Sequence, residues 1–356
     1  MSLYAGSANK LAASSLDAQA WAEIYWLLGI DVAMVDRAGF VQVPCDIKVY
    51  EPFKLPDLST SPTYQACCDE AAQDLLKLQE RLQKPIYLFY SGGIDSTLVL
   101  VSLLKVEPKL HDRVVIVLSP ESIRENPRFY REHVRKFRLE SSLGSLDLLD
   151  GSKILVGGEH NDQLFGTDLG EFVNSNLEFS LLHQPFTREL IVKLMTLKLV
   201  PEQAAHIWFD VMTYHIKQAP IQVRTVFEFF WWVNFCFKWQ PVFFRILARS
   251  RRLLTHELVR DYFHHFFSTS NFQRWSMLNP ELKLGSSWDT YKQLAKDIIF
   301  EFTRDDDYHK FKLKEVSLHK IFKQSYAAIA ITDQMKLLDE VDPAAYYVAS
   351  NSFKTQ

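Results

Sequence analysis

The stretch from Lys84 to Leu104, KPIYLFYSGGIDSTLVLVSLL, constrains the fold more than any other. The run Pro85 to Tyr90 is short, apolar and aromatic, bounded by proline and by Ser-Gly-Gly, the pattern of a strand buried on both faces of a parallel sheet. Leu98, Val99, Leu100, Val101, Leu103 and Leu104 then form a nearly continuous apolar run, which fits a helix packed back on that sheet. Between them, Ser91-Gly92-Gly93-Ile94-Asp95-Ser96 puts two glycines where the chain must turn sharply and let an anion approach backbone N–H groups with no Cβ in the way. The first helical turn would aim its free N–H groups and positive dipole end at that anion, with Ser91, Ser96 and Thr97 adding hydroxyl donors. Asp95 would repel a bare phosphate, so its place here calls for Mg²⁺ between its carboxylate and the phosphate oxygens. As pure structure, Asp95 and Ser96 would only cap a helix, but the strand, turn and helix context favours the phosphate reading. No Gly-Lys-Ser/Thr follows, so this is not a Walker A loop.

Two further buried strands are expected at Arg113 to Leu118 and Lys153 to Val156, separated by a charged segment, Glu125 to Leu139, of helical period with Phe129, Val134 and Phe137 inward. The third strand opens onto Gly157-Gly158-Glu159-His160-Asn161-Asp162-Gln163-Leu164-Phe165-Gly166. Ligand-type residues at the carboxyl ends of strands are what an open α/β sheet offers for nucleotide binding. Glu159 and Asp162 lie three apart on a glycine-flanked turn. If the first and third strands are neighbours, Asp95 and Asp162 face one pyrophosphate from two sides, each a hard oxygen ligand for Mg²⁺. The structural alternative is a helix cap made by Asn161 or Asp162.

At 356 residues the chain is long enough for more than one compact unit. Three segments are expected: 1–83, an N-terminal part; 84–170, the nucleotide-binding α/β unit; and 171–356, a helical subdomain. Within the first, residues 1 to about 20 suit a loose arm or short helix, Trp21 to Leu28 a helix, and Ala33 to Val35 with Phe40 to Val43 a hairpin turning at Arg37-Ala38-Gly39. Pro52 to Pro62 suits a linker, and Gln65 to Leu82 an amphipathic helix. A net charge of −3 gives no general case for nucleic-acid binding, so small molecules are expected. None of Cys45, Cys67, Cys68 and Cys236 forms a C-x-x-C pair, which argues against a zinc ribbon or dithiol site. With no secretory leader pattern, a reducing cytoplasm is expected. The apolar stretch Val226 to Leu247 is interrupted by Glu228, Asn234, Lys238, Gln240, Pro241 and Arg245, which favours a core helix or a pair broken at Pro241 over a membrane span.

The first loop matches SGGxDS, the pyrophosphate loop of the N-type ATP pyrophosphatases. GGEHNDQLFG after a strand resembles the SGEGxDELFGG signature of the synthetase domain of asparagine synthetases, shared with β-lactam synthetases and lasso-peptide cyclases. The resemblance covers residues 84 to 170 and implies an open parallel sheet of the adenine nucleotide alpha hydrolase type with a C-terminal all-helical subdomain. It implies ATP and Mg²⁺, with Asp95 and Asp162 as metal ligands and Ser91, Gly92, Gly93 and Ser96 cradling pyrophosphate. Gly158 would lie near the nucleotide, and Glu159 would position or deprotonate the nitrogen nucleophile. The chain departs from the family pattern in having Ser2 where the glutaminase cysteine would follow Met, a shorter interval between motifs, and His160, Asn161 and Gln163 around the acidic pair. Glutamine is therefore not expected as nitrogen donor, and aspartate is not implied as substrate.

The family's helical subdomain delivers a lysine to the phosphates. In Asp305 to Glu315, Lys310, Lys312 and Lys314 would share one face of an extended segment, with Lys312 or Lys314 expected at the pyrophosphate. Phe272-Gln273-Arg274-Trp275 is a polar-aromatic patch that suits either a substrate or phosphate contact or, more often for an Arg beside a Trp, stacked packing, and the adjacent His264 and His265 lack metal-site spacing. The expected function is ATP-dependent, Mg²⁺-requiring ligation that adenylates a small-molecule carboxylate, or an amide oxygen, and transfers it to an amine or ammonia with release of AMP and pyrophosphate. The alternatives are a base-modifying enzyme of the thiolation or deazapurine type, or a nucleotide-binding module without turnover.

Overall fold

The computed structural model describes residues 2–5, 21, 34–44, 46–142, 149–166, 177–247, 254–312, 329–331 and 335–337. In chain order the strands are β1 (Ser2–Ala5), β2 (Ile86–Phe89), β3 (Val114–Leu118), β4 (Arg138–Ser141), β5 (Ile154–Gly157), β6 (Phe263–His265), β7 (Ile329–Ile331) and β8 (Met335–Leu337). The middle five form an open, all-parallel sheet in the order β4-β3-β2-β5-β6, and β1, β7 and β8 form a separate antiparallel one. Side chains alternate across the parallel sheet and both faces are apolar. Ile86, Leu88, Val114, Ile116, Ile154 and Val156 enter the larger core, while Tyr87, Val115, Val117 and Leu155 enter a second core with Phe243 and Phe263. Edge strand β4 carries Arg138 and Glu140, charges that discourage further pairing.

The growth of the sheet reverses direction between β2 and β5, because β3 and β4 are added on one side and β5 and β6 on the other. Ile86 pairs with Ile154 and Leu88 with Val156, so the chain leaving β2 and the chain leaving β5 emerge side by side. A crevice outside the carboxyl ends at such a reversal is where open α/β sheets take ligands. The helix Ile94–Val106 follows β2 and is flanked by the helices Tyr64–Leu82 and Gln293–Thr303. That sandwiching explains an apolar run with little amphipathic period.

Several local expectations are revised. The segment 120–137 is two short helices, Pro120–Glu125 and Pro127–Glu132, and a 3₁₀ turn, Val134–Lys136. Pro127 cannot extend the first helix and forces Asn126 out of the helical region, at φ −142° and ψ 74°. Phe129, Val134 and Phe137 are nonetheless buried. Among the described residues no strand pair forms around 37–39; the turn is organised instead by buried Asp36, which accepts from the N–H groups of Ala38, Phe40 and Val41 at 2.9, 2.7 and 2.9 Å. Trp232 Nε1 donates to His215 Nδ1 at 3.0 Å, so His215 Nε2 carries the proton it shares with Asp36 at 2.9 Å. The expectations for residues 6–20 and 22–28 lie outside the described residues.

The stretch from 226 is a buried helix pair, Val226–Phe237 and Trp239–Phe244, broken before Pro241 rather than at it. Proline cannot donate to the carbonyl four residues back, and the Phe237 carbonyl instead accepts from Val35 N at 3.4 Å. Arg37 N and Nε reach the carbonyls of Cys236 and Phe235 at 3.3 and 3.0 Å. The N-terminal segment thus serves the carbonyls at the break. Among the described residues, no helix is long and apolar enough to cross a membrane. The segment 171–356 is not all-helical: it supplies β6 to the main sheet, together with β7 and β8. Three-residue strands carry too little alternation to be seen in sequence.

Candidate functional site

Gly93 begins the helix after β2, and no side chain caps its first turn. The hydroxyls brace the loop internally: Ser96 Oγ accepts from Ser91 N and lies beside Ser91 Oγ, both at 3.1 Å, and Thr97 Oγ1 donates to the Gly92 carbonyl at 3.5 Å. Gly93 N donates to Ser91 Oγ at 3.3 Å, which leaves the N–H groups of Ile94, Asp95 and Ser96 as the first-turn amides without a capping side chain. Gly92 has φ +80°, and a Cβ there would lie 2.3 Å from the Ser122 carbonyl oxygen. Its need for glycine comes from the turn and from close packing on Pro120–Glu125. A Cβ on Gly158 would lie 3.3 Å from Ser96 N, so the exits of β2 and β5 are in contact.

The two motifs meet on one cation. Lys292 Nζ lies 2.6 Å from both oxygens of Asp95 and 2.6 Å from Asp162 Oδ1. The lysine side chain is 1% exposed, against 26% and 31% for the two carboxylates. Asn161 Nδ2 donates to Asp95 Oδ1 at 2.7 Å, and Tyr64 OH donates to Asn161 Oδ1 at 2.8 Å, which fixes the amide orientation and holds Asp95 from behind. Asn161 is fully buried, so it supports the aspartate rather than reaching into the crevice. Asp95 and Asp162 converge as a divalent cation bridging them would require, and both offer hard oxygen. Among the described residues no group of three or more His, Cys, Asp or Glu could hold a metal. Two carboxylates with the remaining positions left to phosphate and water is the habit of Mg²⁺ in nucleotide sites.

Glu159 pairs with Arg245 Nη2 beside this cluster. Burial pushes its carboxyl above the ordinary range, against the pull of Arg245 and with help from Asp162. His160 turns the chain at φ 75° and stacks on Trp239 with centroids 4.0 Å apart. Its Nε2 lies 3.0 Å from the Trp239 carbonyl and must donate, because a carbonyl only accepts. Burial, then neighbouring His265, pushes His160 well below the ordinary imidazole range; burial takes His265 down to about 3. Both rings are neutral packing elements behind Glu159, and the His160 and Lys292 backbones, at φ 75° and 56°, place two strained residues at the crevice.

The sequence matches no protein-family model and no curated protein.

Asp95, Ser91, Gly92, Gly93, Ser96, Thr97, Gly158, Glu159 and Asp162 all lie along the neighbouring exits of β2 and β5. Lys312 lies behind the loop, its Nζ 3.1 Å from Glu125 Oε1, and Glu125 Cβ would itself lie 3.0 Å from a Cβ on Gly92. Lys314 lies outside the described residues. The lysine that reaches the carboxylates is Lys292, which sequence reasoning missed. One signal was available: Lys292 opens the helix Gln293–Thr303, where the dipole disfavours a cation unless something nearby demands it. Phe272 and Trp275 are buried against Tyr64, Arg274 bonds to Asn271, and His264 bonds to the Asp261 carbonyl, so these residues pack.

Proposed function

We propose that the chain is an ATP-dependent, Mg²⁺-requiring ligase of the amide-forming, AMP-releasing kind, built on a sheet of the adenine nucleotide alpha hydrolase type. The observation that carries this reading is the convergence of Asp95 and Asp162, from two separate motifs, on a single cation beside an uncapped glycine turn. The first-turn amides and Ser91 bind phosphate, and Lys292 supplies the positive charge that the expected Lys312 or Lys314 was to bring. Asp95 and Asp162 would hold Mg²⁺, which when bound stabilises charge on the departing pyrophosphate. In the reaction a substrate carboxylate oxygen attacks the α-phosphorus of ATP, forming the acyl adenylate and breaking the bond to pyrophosphate. An amine or ammonia then attacks the acyl carbon and displaces AMP, and Glu159 takes the proton released by nitrogen. A carboxyl held above its ordinary range is better matched to that proton transfer near neutral pH.

The test is pyrophosphate release by the full chain with Mg·ATP and pooled carboxylates and amines, followed by identification of the nucleotide product. The reading expects AMP and pyrophosphate, lost on Asp95→Asn and on Asp162→Asn. Formation of ADP and phosphate, or nucleotide binding with no pyrophosphate released across a broad acceptor set, overturns it.

A further inference from the structure

We infer that Lys292 is a built-in occupant of the metal seat: it excludes a free divalent cation and yields only when a triphosphate arrives with the metal. This rests on the reading of Asp95 and Asp162 as metal ligands. Three contacts of 2.6 Å commit the ammonium to both carboxylates at once. A metal held by Asp95 and Asp162 would draw on the same carboxylates that Nζ engages, so the two cations would compete for them. At 1% exposure the displaced ammonium has little access to water, and removing a buried charge from its partners is costly unless new ones are supplied. A free Mg²⁺ brings no such partner. The triphosphate of ATP brings several anionic oxygens, so metal and nucleotide together satisfy both the carboxylates and the lysine.

The arrangement also explains how the two acidic residues can converge, since Lys292 sits between their carboxylates. Like charges this close would otherwise repel. Lys292 is held there by the turn preceding the helix Gln293–Thr303, where Tyr291 stacks on Trp288 with centroids 4.5 Å apart and Lys292 itself takes φ 56°. In this turn the left-handed backbone falls on the residue that carries the charge. Linkage then requires reciprocity: whatever factor the nucleotide adds to metal affinity, the metal adds to nucleotide affinity.

The test is Mn²⁺ binding to the full chain, read by the loss of the free-ion electron paramagnetic resonance signal, with and without the α,β-methylene analogue of ATP. Wild type is expected to bind Mn²⁺ alone weakly and to gain affinity when the analogue is present. Lys292→Met is expected to bind Mn²⁺ alone about tenfold or more tighter than wild type, with the gain from the analogue reduced by a similar factor. Adding Asp162→Asn to Lys292→Met should abolish the tight binding, which ties it to this seat. Lys292→Gln, polar and of similar length, serves if the methionine variant does not fold. Equal Mn²⁺ affinities for wild type and both lysine variants overturn the inference. An analogue that binds none of these proteins refutes the nucleotide reading, while the Mn²⁺-alone comparison still decides whether Lys292 holds the seat.

Discussion

Gly92→Ala isolates the geometry of the turn on which the site is built. Two costs are expected. The alanine must hold φ near +80°, a left-handed conformation that disfavours a side chain by about 1–2 kcal/mol. Its Cβ would also lie 2.3 Å from the Ser122 carbonyl oxygen, which is backbone and cannot rotate away. The turn between β3 and Pro120–Glu125 must shift, an overpacking penalty on the order of 1–3 kcal/mol. The sum is a destabilisation of about 2–5 kcal/mol. Gly39→Ala is the matched control, since Gly39 has φ +74° and nothing within 4 Å of a Cβ. It should lose only the conformational part, about 1–2 kcal/mol. Urea unfolding of the three proteins, followed by far-ultraviolet circular dichroism, measures both differences. If Gly92→Ala costs no more than Gly39→Ala, Ser122 does not press on the loop and the account of the turn is wrong.

Tyr64→Phe removes the hydroxyl that donates to buried Asn161 Oδ1 and should cost about 1–3 kcal/mol in the same urea assay; a neutral effect would mean Asn161 has other support. Stability should depend on acid through His265, held at about 3 in the fold against 6.5 ordinarily, so the unfolded chain takes up the proton first. The contribution is complete above about pH 6.5 and is lost as pH falls toward 3, with a slope approaching about 1.4 kcal/mol per pH unit. His265→Gln should flatten that slope by one proton, and unfolding midpoints at pH 7 and pH 5 that shift equally in both proteins would count against it. Glu159→Gln should leave carboxylate-dependent pyrophosphate release within a few-fold while slowing amide formation by roughly 10²–10⁴, a split read by comparing pyrophosphate with amide product. Equal losses in both would assign Glu159 to adenylation instead.

Features encoded over a few consecutive residues are legible in the sequence. The buried strand into Ser91, the helix beyond Gly93 and the strand into Gly157 follow from continuous apolar runs and glycine placement, and the carboxylates at both exits are read directly from the motifs. Helix breaks near Pro127 and Pro241 were less legible, because proline forbids one hydrogen bond without saying which residue will take over the freed carbonyl. At Phe237 that residue is Val35, 202 positions away, 237 minus 35.

What only the tertiary structure decided is who shares charge with whom. Lys292 meets Asp95 across 197 positions, and Arg245 meets Glu159 across 86. Backbone preference acts between neighbours in the chain, and so the amino-acid order alone determined the turn and the acidic pair. Ion pairing acts between neighbours in space, and the lysine is a partner because the helix it opens packs against the helix whose first turn carries Asp95.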